Sequence, residues 1–290
     1  MDAATFEQVY EAFQDFHSYF GSLFGRRESR DHSRYYLQAL LVQSGERRNA
    51  ENLSETVPVS ARAMQRFLTE SPWDDDAVMG RLQEYLGPRL QHPEAIWVLD
   101  GSDFPKQGRK SVGVARQHCV RLGKVANCQA GMFLACISPM GRALVGKRLY
   151  LPESRTSDSE RCATAGVPEE RRGYRSKTEL ALEMLQQALR RGHLRIGLFA
   201  ADDAFGISPS FREGLSALGM CYVLDVPEGF TVWPVEPEWT APVYQGRGSP
   251  PKPKLVIGQR RTIGERSAQL VEDAWRQITV AQGSQGPRSY

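Results

Sequence analysis

The chain is best interpreted outward from one stretch, Trp97-Val98-Leu99-Asp100-Gly101-Ser102-Asp103-Phe104-Pro105-Lys106. An apolar strand leads into Asp100, and the Gly, Ser, Asp and Pro residues behind it predict a turn. The same pattern returns further along the chain, in Ile196-Gly197-Leu198-Phe199-Ala200-Ala201-Asp202-Asp203. Two apolar strands that each end in an aspartate predict two carboxylates at one edge of a sheet. Such an arrangement is typical of metal-binding or acid–base sites.

The composition is that of an ordinary globular protein. The 290 residues are 41% hydrophobic and 24% charged, and the net charge of +3 permits a nucleic-acid partner without requiring one. The five cysteines have no CxxC spacing, which favours small buried thiols in a reducing compartment over disulfides or a zinc site. No apolar run is long enough to span a membrane and the N-terminus lacks a basic region followed by an apolar run, so we expect a cytoplasmic protein.

The first 45 residues predict helices. Apolar and aromatic residues recur there at steps of three and four, which predicts one buried face in a helical bundle. The members of this stripe are Phe6, Val9, Tyr10, Phe13, Phe16, Phe20 and Phe24.

Residues 46–90 carry a possible DNA-binding motif. Two short helices are predicted on either side of the turn at 58–60, with Arg48, Arg62 and Arg66 on or near them. This pattern resembles a helix-turn-helix, and it also fits an ordinary helical hairpin with solvated charges. A further helix over 77–86 is predicted to end at Gly87-Pro88, near a domain boundary.

From residue 96 the pattern becomes that of an α/β domain. The predicted order is a strand, a two-stranded hairpin (127–138 and 143–151), a helix (177–191), a strand, a helix (209–218) and a strand. This is the order of a ribonuclease H-like mixed sheet flanked by helices, in which the first and fourth strands lie side by side. Asp100 and Asp202 would then meet. A last helix is predicted over 265–276.

Several segments resemble the DDE transposases of the IS701 insertion-sequence family, within the IS4-like group. The resemblance covers nearly the whole chain, and the blocks that begin at Asp100 and at Tyr174 are specific to that family. The matching segments are residues 48–51, 65–73, 100–117, 174–177, 201–206 and 274–279.

The resemblance implies two aspartates and one glutamate that hold two divalent ions, Mg²⁺ or Mn²⁺. The first aspartate corresponds to Asp100 and the second to Asp202, with Asp203 as the less favoured alternative. The family's glutamate lies on a helix in a Tyr/Trp-Arg…Glu…Lys context, and no residue from 228 on matches it. We therefore expect a chain truncated before its third acidic ligand. Glu265 and Glu272 are acids on the last predicted helix, but they lack these surroundings.

Basic residues flank the two aspartates and would neutralise DNA phosphates. The implied partner is double-stranded DNA at transposon ends, bound by a homo-oligomer or by a mixed oligomer with full-length transposase. The residues predicted to bind DNA are Arg48, Arg62, Arg66, Lys106, Arg109, Lys110, Arg116 and Lys177.

Together the sequence patterns and the family resemblance imply three segments and two alternative functions. The segments are an all-helical domain (1–92), a ribonuclease H-like catalytic core (93–227) and the start of an inserted segment (228–290). The first function is a DDE transposase, inactive if the third ligand is missing, at the bacterial nucleoid. The alternative is a non-catalytic DNA-binding protein that regulates transposition.

Overall fold

The computed structural model describes residues 2–45, 48–240, 243, 246, 249, 252–274, 279–283 and 286–289. Helices occupy the first 90 residues, as predicted. They are α1 (Ala3–Ser18), α2 (Arg27–Val42), α3 (Ala50–Ser54), α4 (Ala61–Glu70) and α5 (Asp75–Leu90). Side-chain oxygens of Asn49 and Ser60 accept hydrogen bonds from the first turns of α3 and α4, which satisfies backbone donors that a helix start leaves open.

Only the second half of the aromatic stripe lies in a core. Phe20 and Phe24 are buried against Phe67, whereas Phe6 and Val9 are 62% and 54% exposed. The prediction of one continuous buried face is therefore wrong for the first turns of α1. Helical periodicity identifies an apolar face but does not specify which part of it meets another element.

Six strands follow in one sheet. They are β1 (Ile96–Pro105), β2 (Ala115–Cys119), β3 (Lys124–Ser138), β4 (Gly141–Tyr150), β5 (Leu198–Ala201) and β6 (Tyr222–Leu224). Their order is β2-β3-β1-β5-β6, with β4 paired to β3, and the path β4-β3-β1-β5-β6 confirms the ribonuclease H-like prediction. The hairpin is confirmed as β3 and β4, whereas β2 was not predicted.

The predicted turn after Asp100 is wrong. Strand β1 continues to Pro105 and pairs with β3 without interruption, from Ile96 opposite Ile137 to Pro105 opposite Cys128. Long-range pairing with β3 satisfies the backbone of the Gly-Ser-Asp segment, so its local turn preference is overridden. Asp100 therefore lies in the middle of β1.

Helix α5 also continues past its predicted end, through Gly87 and Pro88 to Leu90. A β-carbon at Gly87 would lie 2.3 Å from the carbonyl oxygen of His193. The glycine therefore allows close packing of helix and chain, and it does not end the helix.

The helix predicted over 177–191 is confirmed. It is α8 (Lys177–Arg191), with a capping box formed by Ser176 and Glu179 and a left-handed Gly192 at its end. The loop before it contains α6 (Glu153–Thr156), α7 (Ser159–Thr164) and a 3-10 turn (Glu169–Arg171).

The helix predicted over 209–218 is confirmed as α10 (Pro209–Ala217), and α9 (Asp203–Gly206) precedes it. The prediction of a single helix over 265–276 is wrong within the described residues, where the chain forms two short helical pieces. Residues 275 and 276 lie outside the described residues. The remaining elements are β7 (Thr231–Val232), β8 (Glu238–Thr240), β9 (Lys254–Ile257), β10 (Arg261–Thr262), α11 (Ile263–Ser267), a 3-10 turn (Glu272–Ala274), β11 (Thr279–Gly283) and β12 (Gly286–Ser289).

The chain divides into two units. The first comprises Met1–Phe199 with Leu218–Cys221, and the second Ala200–Ala217 with Tyr222–Tyr290. All five cysteines are free thiols, and four are buried, as predicted, whereas Cys221 is exposed. In the part of the chain that the structure describes, no helix is long and apolar enough to cross a membrane.

Candidate functional site

Asp100 projects from the exposed face of β1. Side chains alternate along a strand, so Trp97 and Leu99 point into the core and Asp100 points away from it. Its Oδ1 accepts a hydrogen bond of 2.7 Å from the backbone N–H of Gly101. The carboxylate therefore lies on a rigid central strand and is open to a ligand.

Asp202 comes directly after β5 and stands at the N-cap position of α9. Its side chain and that of Asp203 are exposed, whereas Phe205 is buried. A β-carbon at Gly206 would lie 1.9 Å from the carbonyl oxygen of Asp225, so only glycine fits where α9 ends. Asp202 therefore begins a short helix whose last residue is packed tightly against the backbone at Asp225.

Phe133 and Lys147 share the sheet face of Asp100. Asp100 is opposite Phe133 on β3, and Phe133 is opposite Lys147 on β4, so the three side chains form one row across the sheet. Lys147 is hydrogen-bonded to Asp75 at the start of α5. The sequence prediction missed this row because it placed a turn where β1 continues, and the register of β1 on β3 then remained unknown.

Asp103 has a structural role instead of the predicted turn. It lies on the opposite face of β1 from Asp100 and is only 7% exposed. Its Oδ2 accepts a hydrogen bond of 2.7 Å from the backbone N–H of Val120. This bond ties β1 to the 3-10 turn Val120–Leu122.

All eight basic residues predicted to bind DNA are exposed and belong to the first unit. On the helices, Arg62 and Arg66 project from α4, where Arg66 forms an exposed salt bridge of 3.1 Å with Glu70. Arg116 lies opposite Asn127 and shares the sheet face of Asp100. Their exposure leaves them available to a polyanion, and their role in DNA binding stays a prediction.

Lys177 lies over the ring of Tyr150, with its Nζ 5.5 Å from the ring centroid. Burial, together with Tyr174, raises the pKa of Tyr150 to about 12. The phenol therefore stays neutral around pH 7 and provides an aromatic surface for the ammonium group.

The donor chemistry of the two aspartates fits a divalent cation. Exposed carboxylate oxygens are the ligands that Mg²⁺ prefers. Among the described residues, no group of three or more His, Cys, Asp or Glu side chains is gathered in a way that could hold a metal. That Asp100 and Asp202 hold metal together stays a prediction.

The strand order and the carboxylate on the central strand define a ribonuclease H-like α/β protein. A model of the DDE superfamily endonucleases matches residues 18–287, which is most of the chain. The chain therefore belongs to the DDE superfamily endonuclease family.

A curated relative is the probable transposase for insertion sequence element IS701 from Microchaete diplosiphon. It is 24% identical over 198 residues, which cover 66% of this chain and 47% of the relative. The match thus spans about half the length of that relative.

Two solved structures show weak similarity. One is the Mos1 mariner paired end complex with Mn, at 15% identity and a TM-score of 0.23 over 66% of this chain and 57% of that chain. The other is a pre-cleavage Mos1 transpososome, at 15% identity and a TM-score of 0.17 over 66% and 58%.

Proposed function

We propose that this chain contributes two carboxylates, Asp100 and Asp202, to a metal centre that cleaves DNA strands at the ends of an insertion sequence. The observation that carries the proposal is an exposed aspartate at the middle of the central strand in a member of the DDE endonuclease family. The strand order, in which β5 is the neighbour of β1, supports Asp202 as the second carboxylate.

Divalent ions in such a centre, two Mg²⁺ or Mn²⁺, would activate the attacking oxygen and stabilise the leaving oxygen of the phosphodiester. The role of Asp100 and Asp202 would be to hold the ions with hard carboxylate oxygen atoms. Exposed basic side chains such as Arg116, on the same face as Asp100, would position the phosphate backbone. The likeness to the IS701 transposase supports transposon ends as the DNA substrate.

The third carboxylate of the family has no assigned residue in this chain. Glu265 accepts the backbone N–H of Thr262 in the capping box of α11 and lacks the family's sequence context. Because two carboxylates hold divalent ions more weakly than three, we expect these 290 residues to bind DNA without sustained strand cleavage. The lack of an assigned third carboxylate favours a second candidate function, a non-catalytic DNA-binding regulator that forms mixed oligomers with a complete transposase.

A nicking assay separates the two candidates. Supercoiled DNA that carries inverted-repeat ends would be incubated with Mg²⁺ or Mn²⁺ and the wild type, Asp100→Ala or Asp203→Ala, and binding would be followed on the same DNA by gel shift. We expect binding by all three proteins and no sustained nicking. Metal-dependent nicking that Asp100→Ala abolishes and Asp203→Ala retains would establish the enzyme and reject the regulator. Absence of DNA binding would contradict both candidates.

A further inference from the structure

A cavity of about 730 Å³ opens on the sheet face that carries Asp100. Its volume is within the range of sites for small organic ligands. Phe104, Phe133 and Leu149 line its floor, and the segment 166–175 and the outer side of α8 contribute walls. All of these residues belong to the first unit.

The aromatic floor depends on a glycine. The rings of Phe104 and Phe133 lie 6.1 Å apart between centroids at an interplanar angle of 73°. A β-carbon on Gly131 would come within 3.0 Å of the Phe133 ring and 3.5 Å of the Phe104 ring. The two rings therefore occupy space that any other residue at position 131 would fill, and Phe104 remains 41% exposed to a ligand.

The cavity is also rich in charge. Five cationic side chains and four carboxylates line the cavity. Arg148 and Arg171 share one carboxylate, that of Asp76, at 3.2 and 2.5 Å, while Arg175 pairs with Glu183 at 2.7 Å. Because two guanidinium groups share one carboxylate, one positive charge is left for an anion such as a phosphate.

The position of the cavity connects it with the proposed metal centre. Phe133 is directly opposite Asp100, and neighbouring strands lie about 4.8 Å apart. A nucleotide next to a phosphodiester held at Asp100 would therefore have the aromatic floor within reach. This step rests on the proposed function.

We infer that the cavity accommodates one unstacked nucleotide of a DNA strand. The base would lie against Phe104 and Phe133, and its phosphate would face the arginines of the 166–175 segment. Base stacking on aromatic side chains tolerates any base, because every base has a π-face. A free nucleoside monophosphate has the same chemistry, so the experiment distinguishes the two sources.

The probe is 2-aminopurine, whose fluorescence falls when the base stacks. It would be supplied as the free deoxynucleoside monophosphate and within a single-stranded overhang of a DNA duplex. The variants are Phe104→Ala and Phe133→Leu. The matched control is Leu144→Ala, which lies on the same sheet face, 55% exposed and outside the cavity. Thermal unfolding of each variant checks that it folds.

We expect quenching with the wild type and with Leu144→Ala, and dissociation constants at least about fivefold higher for Phe104→Ala and Phe133→Leu. Quenching by the overhang alone supports a nucleotide held within the strand, whereas equal quenching by the monophosphate supports a site for the nucleotide itself. DNA binding without quenching, or quenching that is the same in Phe104→Ala and Leu144→Ala, would overturn the inference and leave the proposed function standing. Quenching by the monophosphate without any DNA binding would reject the proposed function and leave the nucleotide site standing.

Discussion

The carboxylate of Asp76 connects the start of α5 to the sheet through ion pairs. Partial burial alone would raise the pKa of Asp76, but the ion pairs with Arg148 and Arg171 outweigh it and lower the pKa. In addition, the guanidinium of Arg191 donates to the backbone oxygen of Asp76 at 2.8 Å. The start of α5 is thus held to β4, to the 166–175 segment and to α8 by charge.

We predict that Asp76→Asn lowers the free energy of unfolding at pH 7 by about 1–2 kcal/mol, since a charge-assisted network that is partly exposed is worth less than a buried one. Because the pKa of Asp76 is lower in the native state than in the unfolded state, its ionisation stabilises the fold fully above the unfolded pKa of about 3.9. This stabilisation is lost as the pH falls through the native pKa of Asp76. The difference between wild type and variant should therefore shrink as the pH falls from 5 towards 3.

Urea unfolding at several pH values measures this difference. Asp75→Asn is the matched control, because its ion pair with Lys147 is 45% exposed on both sides and should contribute at most about 1 kcal/mol. A stability difference for Asp76→Asn that stays constant between pH 7 and pH 3 would show that the charge of Asp76 is not its source.

At the scale of elements, α5 is located by a close backbone approach. Gly87 faces the carbonyl of His193, and the buried side chain of Gln83 donates to the carbonyl of Val145 on β4 at 2.5 Å. A helix that crosses a backbone this closely cannot carry a side chain at the crossing point.

We predict that Gly87→Ala costs about 1–3 kcal/mol, because the added methyl group meets backbone atoms and cannot be accommodated by a rotamer change. Gly80→Ala in the same helix is the control. Its methyl group would meet only the side chain of Arg191, at 3.2 Å. In addition, alanine has a higher helix propensity than glycine. Thermal unfolding of both variants tests the contact, and equal melting temperatures would contradict it.

An element could be predicted from sequence when the contacts that form it lie within its own segment of the chain. Helix α8 has a local capping box and a local C-cap, so its limits were predictable within the segment itself. Strand β1 extends past Asp100 because β3 pairs with it from a distant part of the chain, and no pattern within 96–106 shows that partner. The same reason explains why the Asp100, Phe133 and Lys147 row was missed, although the sequence pattern singled out Asp100 as a candidate ligand.

At the scale of the whole molecule, the property to be tested is DNA binding by the exposed basic residues of the predicted set. Arg48 and Arg66 lie near or on the two helices of the predicted helix-turn-helix. Each phosphate contact that is removed should lower the salt slope by about 0.9.

We predict that Arg48→Ala with Arg66→Ala weakens binding to duplex DNA at every sequence and lowers the slope of log K against log salt by up to about 2. A pair of exposed arginines outside the predicted DNA-binding set, Arg27→Ala with Arg195→Ala, is the control. Fluorescence anisotropy over a range of salt concentrations gives both quantities. If the two double variants have equal slopes, the N-terminal helices do not provide the DNA contacts.

The central claim is that Asp100 and Asp202 hold divalent metal. Asparagine keeps the shape of each side chain, and it is as good a helix N-cap as aspartate at position 202, so the substitutions remove charge and leave the fold intact. Asp203, exposed at the first position of α9, is the matched control.

The most direct measurement is a titration of Mn²⁺ against wild type, Asp100→Asn, Asp202→Asn and Asp203→Asn, with free Mn²⁺ followed by electron paramagnetic resonance. We expect the wild type and Asp203→Asn to bind Mn²⁺, and Asp100→Asn and Asp202→Asn each to lose this binding. Mn²⁺ binding that survives Asp100→Asn, or that is lost in Asp203→Asn and kept in Asp202→Asn, would contradict the central claim.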